Sequence, residues 1–250
     1  MPVGYDDFAE RFPSAGTVAL RSMCGRYATT RTEADLSDLF DAVVVTPGPG
    51  PSWNVAPTDP VPLVRVSQRR AERVLDVARW GLVPPWATDM RGAARMINAR
   101  AETVATTPAF APAFAKRRCL VPADGWYEWV RDGGSRRAFY MTPADGSVLA
   151  FAGIYSVWGS EPVLTCSVVT TAALGGLARV HDRMPLILPR ERWADWLAGG
   201  GDPEALLRPM SGRELEAIEV RAVRPDVGNV RNNGPHLLEP PEPPVEATLF

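Results

Sequence analysis

Apolar and polar positions alternate over many short stretches of this chain, and a period of three or four residues is less common, so the pattern predicts a molecule built mainly from strands. Val74, Leu75, Val77 and Ala78 suit a half-buried strand from Arg73 to Trp80, preceded by a strand over Pro62 to Ser67 and a turn at Arg69 to Glu72. Ala138 to Thr142, Val148 to Val157 and Val163 to Thr170 continue the pattern, with Gly- and Asp-containing turns between them. Leu215 to Val223 is the last expected strand. Cys119 to Val121 and Trp126 to Val130 read as strand pieces around a turn at Pro122-Ala123-Asp124-Gly125, and Leu186-Ile187-Leu188 as a further apolar strand.

Helical spacing is confined to short pieces. Thr32-Glu33-Ala34-Asp35 has the form of an N-cap box, with Leu36, Leu39 and Phe40 following on one face. Pro108 to Arg118 reads as a helix interrupted by Pro112, Arg190 to Ala198 as one presenting Trp193, Trp196 and Leu197, and Pro203 to Leu207 as another. Thr46 to Ser52 holds three prolines and two glycines and is a loop. Trp80 to Trp86, with two tryptophans around two prolines, is neither regular helix nor central strand and is expected to be an ordered loop. These elements imply one α+β domain over residues 24–234. An N-terminal extension or propeptide (1–23) precedes it, and a Pro/Glu-rich tail (235–250) is expected to be disordered or draped on the surface.

Composition narrows the function. With 250 residues and 46% hydrophobic content the chain can bury a large core, and a net charge of −2 excludes a uniformly basic nucleic-acid binder, so any DNA site is local. Positive charge is almost all arginine, with Lys116 the only lysine; this fits either genomic base composition or phosphate recognition. Cys24, Cys119 and Cys166 are odd in number, far apart and without a CxxC pair, which argues against a disulfide framework and fits a reducing cytoplasm. No His, Cys or carboxylate cluster has metal-ligand spacing, and neither metal nor cofactor is expected. No apolar run is long enough to span a membrane, and residues 1–22 lack the charged start and apolar stretch of a secretory signal.

Met23-Cys24-Gly25-Arg26-Tyr27 reads like the beginning of a protein although twenty-two residues precede it. A chain starting at Cys24 would carry a 1,2-aminothiol, with an amine pKa of about 7.7–8.0 and a thiol near about 8.5, two nucleophiles on one residue. Glu128, among Trp126, Tyr127 and Trp129, is either an acid/base group with a raised pKa or a residue that strand alternation turns to solvent. His181 heads His-Asp-Arg-Met-Pro and is either structural or a partner for Cys24, with Asn98 or Asn54 orienting groups. His236 lies in the tail and is discounted. Asn98 and Arg100 project to one side of an extended segment. Trp80 and Trp86 are core packing or a platform for bases, with Arg26, Arg79, Arg95 and Arg100 available for phosphates.

Six segments stand out in order: Met23 to Tyr27, Asn54-Val55-Ala56-Pro57, Trp80 to Trp86, Ile97 to Thr103, Cys119 to Trp129, and His181 to Pro185. Together they resemble the SOS response-associated peptidase family, the abasic-site-shielding proteins that crosslink to single-stranded DNA. The resemblance runs from Cys24 to about Val223; the extension and the tail depart from it. It implies curved antiparallel sheets in a barrel-like core with peripheral short helices, and a monomer in the cytoplasm, nucleoid-associated when engaged with DNA. It also implies a thiazolidine formed by Cys24 with an abasic deoxyribose. Within that chemistry Glu128 matches the acid/base residue, His181 the histidine near the sugar and its 3′ phosphate, and Asn98 the amide that holds the sugar oxygen. Arg26 and Arg100 match phosphate contacts, Trp80 and Trp86 the base-displacing loop, and Thr170 or Thr171 further backbone contacts. Self-cleavage before Cys24 and abasic-site lyase activity are implied as well. The residues alone leave two rivals open: a cysteine peptidase or amidase using Cys24 with His181, and a non-covalent single-strand-binding module.

Overall fold

The fold is that of a computed structural model that describes residues 24–132 and 135–242. The expected extension, residues 1–23, and the end of the tail, residues 243–250, lie outside the described residues. Among the described residues thirteen strands follow in chain order: β1 Tyr27–Thr29, β2 Val43–Val44, β3 Ser52–Val55, β4 Pro60–Val66, β5 Arg73–Trp80, β6 Asn98–Arg100 and β7 Arg118–Ala123. Then come β8 Gly125–Asp132, β9 Ser135–Pro143, β10 Leu149–Trp158, β11 Val163–Ala172, β12 Arg183–Pro185 and β13 Ile218–Val223. Among the described residues five short helices lie around them: α1 Glu33–Phe40, α2 Ala111–Lys116, α3 Trp193–Leu197, α4 Pro203–Leu207 and α5 Gly212–Leu215.

Two sheets result, a five-stranded one in the order β13-β9-β8-β1-β3 and an eight-stranded one around β12-β11-β10-β7-β4-β5-β2. A pairing of β11 with β5 closes β5-β4-β7-β10-β11 into a barrel. The expected antiparallel pairing holds except at three parallel pairs, β2–β5, β5–β11 and β6–β11. Tyr27 and Trp126 from the five-stranded sheet share one apolar cluster with Trp80, Phe151 and Cys166 of the barrel. Tyr27 meets Trp80 edge to face at 5.1 Å and Phe151 at 6.1 Å, so aromatic contacts join the sheets.

Three readings of the elements change. Pro122 to Gly125 is not a hairpin turn: β7 runs through Ala123 in the barrel, β8 starts at Gly125 in the other sheet, and the chain changes sheets at Asp124. Asp124 fixes that corner by accepting from the Thr30 backbone N–H at 2.6 Å and hydroxyl at 2.7 Å. Gly125 is required there, because a Cβ would stand 2.3 Å from the Met141 carbonyl oxygen. The strand near His181 is Arg183–Pro185 itself; Leu186 to Leu188 is a buried extension that bonds Ala150, Ala152 and Val169. The tail stays docked further than expected, since Pro235–Leu238 forms a 3-10 turn whose Leu237 is fully buried against the Ala28, Tyr127 and Tyr140 cluster.

Candidate active site

The site forms where the start of β1 and the middle of β8 meet β6, β11 and β12. Cys24 lies just before β1, buried, in a left-handed conformation with φ 31° that is uncommon for a side chain other than glycine. The β1–β8 ladder pairs Tyr27 with Trp126, and the Tyr127 N–H donates to the Arg26 carbonyl, which brings Glu128 beside the cysteine. Glu128 is 2% exposed, so alternation turns it inward. Its Oε1 accepts from the Cys24 backbone nitrogen at 3.0 Å. That nitrogen is an amide while Met23 is attached, and it stands where the α-amine of a chain beginning at Cys24 would be.

Burial raises the Glu128 pKa, and the nearby Asp182 adds to this; a charged His181 and the hydrogen bonds from Cys24 pull the other way. Burial also pushes the Cys24 thiol well above the ordinary thiol range, reinforced by the Glu128 charge and opposed by Arg183. The thiol points to the Arg183 carbonyl at 3.8 Å and not to His181, so the Cys–His pair weighed from the sequence is not formed. Asn98, on β6 opposite Val168 of β11, donates from Nδ2 to the Cys24 carbonyl at 3.3 Å. His181 Nδ1 lies 3.0 Å from both the Arg183 N–H and an Asp182 carboxylate oxygen. A neutral Nδ1 serves the first as acceptor, and a protonated one serves the second as donor.

Two residues that the sequence did not single out complete the wall. Arg183 forms a fork onto Glu102, at 2.6 and 2.9 Å, and also donates to the Thr170 carbonyl at 2.7 Å. Both lie inside quoted motifs, yet their pairing depends on β12 lying beside β11, which no spacing reveals. Thr170 and Thr171 are buried, Thr170 beneath Arg183, so direct contact with a DNA backbone is not available to Thr170. Arg100 is exposed on the side of β6 that carries Asn98.

Arg26 is half-buried, donating to Asn54 Oδ1 at 2.7 Å and the Val227 carbonyl at 2.8 Å. Trp80 is not a base platform: it is 1% exposed, at the end of β5, with its indole N–H on the Ile97 carbonyl at 2.9 Å. Trp86 is 59% exposed on the following loop, which the Trp158 indole pins through the Ala87 carbonyl at 2.8 Å. Among the described residues no three His, Cys, Asp or Glu side chains converge as a metal site, and no helix is long and apolar enough to cross a membrane.

Residues 23–230 match the family described as SOS response associated peptidase (SRAP). The chain belongs to the SRAP family. Among its SRAP relatives, the abasic site processing protein YoqW of Bacillus subtilis is 34% identical over 227 residues, covering 87% of this chain and 99% of that one. YedK of Escherichia coli, also named an abasic site processing protein, is 32% identical over 240 residues, covering 87% and 100%. A solved protein from Bordetella bronchiseptica superposes with TM-score 0.69 at 27% identity over 80% of this chain and all of that one. One from Bacteroides thetaiotaomicron gives 0.74 at 23% identity over 87% and 99%, a likeness of fold.

Proposed function

We propose that this SRAP chain processes abasic sites in single-stranded DNA by forming a thiazolidine with Cys24 after residues 1–23 are removed. The observation that carries this reading is the Cys24 nitrogen held 3.0 Å from a buried Glu128 carboxyl. The names of the relatives, abasic site processing proteins, point to the same substrate. The ring-opened deoxyribose offers an aldehyde. The amine adds to it, the carbinolamine loses water to give an imine, and the thiol adds to the imine carbon. One water is released, and nitrogen, two carbons, sulfur and the former aldehyde carbon close the ring.

Glu128 with a raised pKa protonates the departing hydroxyl and takes protons back from nitrogen and sulfur. A neutral thiol suits this sequence, because it reacts second, on a carbon already activated as an imine. Asn98 holds the sugar oxygen, and His181 assists the imine and a lyase side reaction at the 3′ phosphate. Arg100 and the remaining donors of Arg26 take phosphates, and Trp86 offers its exposed ring to a neighbouring base.

Removal of the leader is assigned to the same residues. The Cys24 backbone is held in a strained left-handed conformation, and Glu128 faces the nitrogen that must leave; water supplies the hydroxyl to the Met23 carbonyl carbon and Glu128 passes the proton to the Cys24 nitrogen. A denaturing gel with an abasic oligonucleotide tests the reading. A protein beginning at Cys24 should give a slow-migrating adduct, and one that keeps residues 1–23 intact should give none. Absence of a Cys24-dependent adduct from the first protein would rule out the covalent mechanism.

A further inference from the structure

The strand that supplies Glu128 also carries charge that the reaction does not use. Side chains alternate, so Tyr127, Trp129 and Arg131 share the face of β8 opposite Glu128. Across the β8–β9 ladder Arg131 lies directly opposite Arg136, and on β13 Arg221 lies opposite Tyr140. All three arginines are exposed. The Arg136 guanidinium stands 4.6 Å from the centre of the Trp129 ring, Arg26 stands 5.8 Å from it, and Arg221 stands 5.5 Å from Tyr140. Arg137 continues the basic character on the Glu128 face, opposite Val130 and 5.9 Å from the ring of Phe139, the cross-strand partner of Glu128.

Like charges set directly opposite each other on a ladder destabilise a sheet. Among the described residues Arg131, Arg136 and Arg221 form no ion pair with a carboxylate. Folding therefore gains nothing from the Arg131–Arg136 pair, in a protein whose net charge is −2. Aromatic rings hold Arg136 and Arg221 near the surface, and no carboxylate among the described residues takes up their charge, an arrangement that suits phosphate. The row begins at Arg26, two residues from Cys24, and Arg131 lies about 7 Å beyond Trp129, on the order of one extended nucleotide step.

We propose that the β8–β9 arm is a second contact surface for the DNA strand, with Arg131 and Arg136 binding phosphates of nucleotides that flank the reacting position. This rests on the abasic-site reading above. It predicts that the arm contributes affinity only when the strand is long enough to reach it.

The test uses the protein beginning at Cys24 and its Arg131→Gln/Arg136→Gln variant, with a short abasic oligonucleotide that only fills the site and a longer one. The variant should crosslink the short strand at the wild-type rate. It should bind the longer strand several-fold more weakly, with the dependence of log K on log salt shallower by about 1.4 for two lost contacts. Arg131→Lys/Arg136→Lys should recover most of the binding, and the Gln variant should be no less stable to heat, since a like-charge pair is gone. Unchanged affinity and salt dependence on the longer strand, with the short strand still crosslinked, would overturn the arm proposal alone. If the wild-type protein crosslinks neither strand, the abasic-site reading fails, and the arm proposal with it.

Discussion

Glu128 is a carboxylate placed where its neutral form is favoured, and this has a cost that can be measured. Its pKa in the folded protein is raised by burial, whereas in the unfolded chain it returns to about 4.3. The folded state therefore holds its proton more tightly. The associated stabilisation is complete below the unfolded pKa and is lost as pH rises through the folded one. Glu128→Gln removes this dependence, so thermal unfolding should show the variant gaining on the wild type from about pH 4 upward until the difference levels off. The same variant should form and reverse the DNA adduct more slowly and lose the pH dependence of the rate; an unchanged profile would remove Glu128 as the acid/base group. At this scale the sequence named two of the residues that touch Cys24, because Asn98 and Glu128 each sit inside a distinctive run, but not Arg183, whose carbonyl faces the thiol. It could not say which way Glu128 pointed, since its neighbours are apolar on both sides and only the β1–β8 pairing decides. Trp80 misled for a related reason: an aromatic next to a loop looks like a platform until a carbonyl is found for its indole.

Between residues and the whole molecule stands the C-terminal segment, which ties the Cys24 strand in place. Asn54 on β3 is buried; its Oδ1 accepts from Arg26, and its Nδ2 donates to the Asn229 and Asn232 carbonyls at 3.0 and 2.8 Å. Leu237 then closes the same face from beyond the loop. Leu237→Ala should destabilise the protein by about 2–5 kcal/mol, measured by denaturant unfolding. A change within about 0.5 kcal/mol, the range of ordinary surface substitutions, would show that this segment is not part of the folded unit. The proline and glutamate content after Pro235 hid this anchor, because one buried leucine does not alter a compositional reading. The capping box of α1 was legible because it is local: the Thr32 hydroxyl and the Asp35 N–H are three residues apart and 3.1 Å from each other. The corner at Asp124 was not legible as a change of sheet, since its Pro and Gly signal a bend but not the partners on either side.

Across the molecule, one apolar cluster runs from the five-stranded sheet into the barrel, through Tyr27 and Trp126 on one side and Trp80 and Phe151 on the other. The two sheets should therefore unfold together, with tryptophan fluorescence and far-ultraviolet circular dichroism giving coincident transitions. Separate midpoints would mean that the sheets are independent units. The α+β class and the barrel were expected from many short strands and from the family motifs, but the parallel seam of β5 with β11 was not. Arg79 and Trp80 meet Thr165 and Cys166 there, more than eighty residues away in sequence. That seam also sets an order in time. During synthesis Cys24 emerges before the rest of the domain, and its surroundings remain incomplete until β11 and β12 arrive to close the barrel and deliver His181 and Arg183. The start of the domain thus waits for strands made long after it, so self-processing before Cys24 would report that the domain has finished folding.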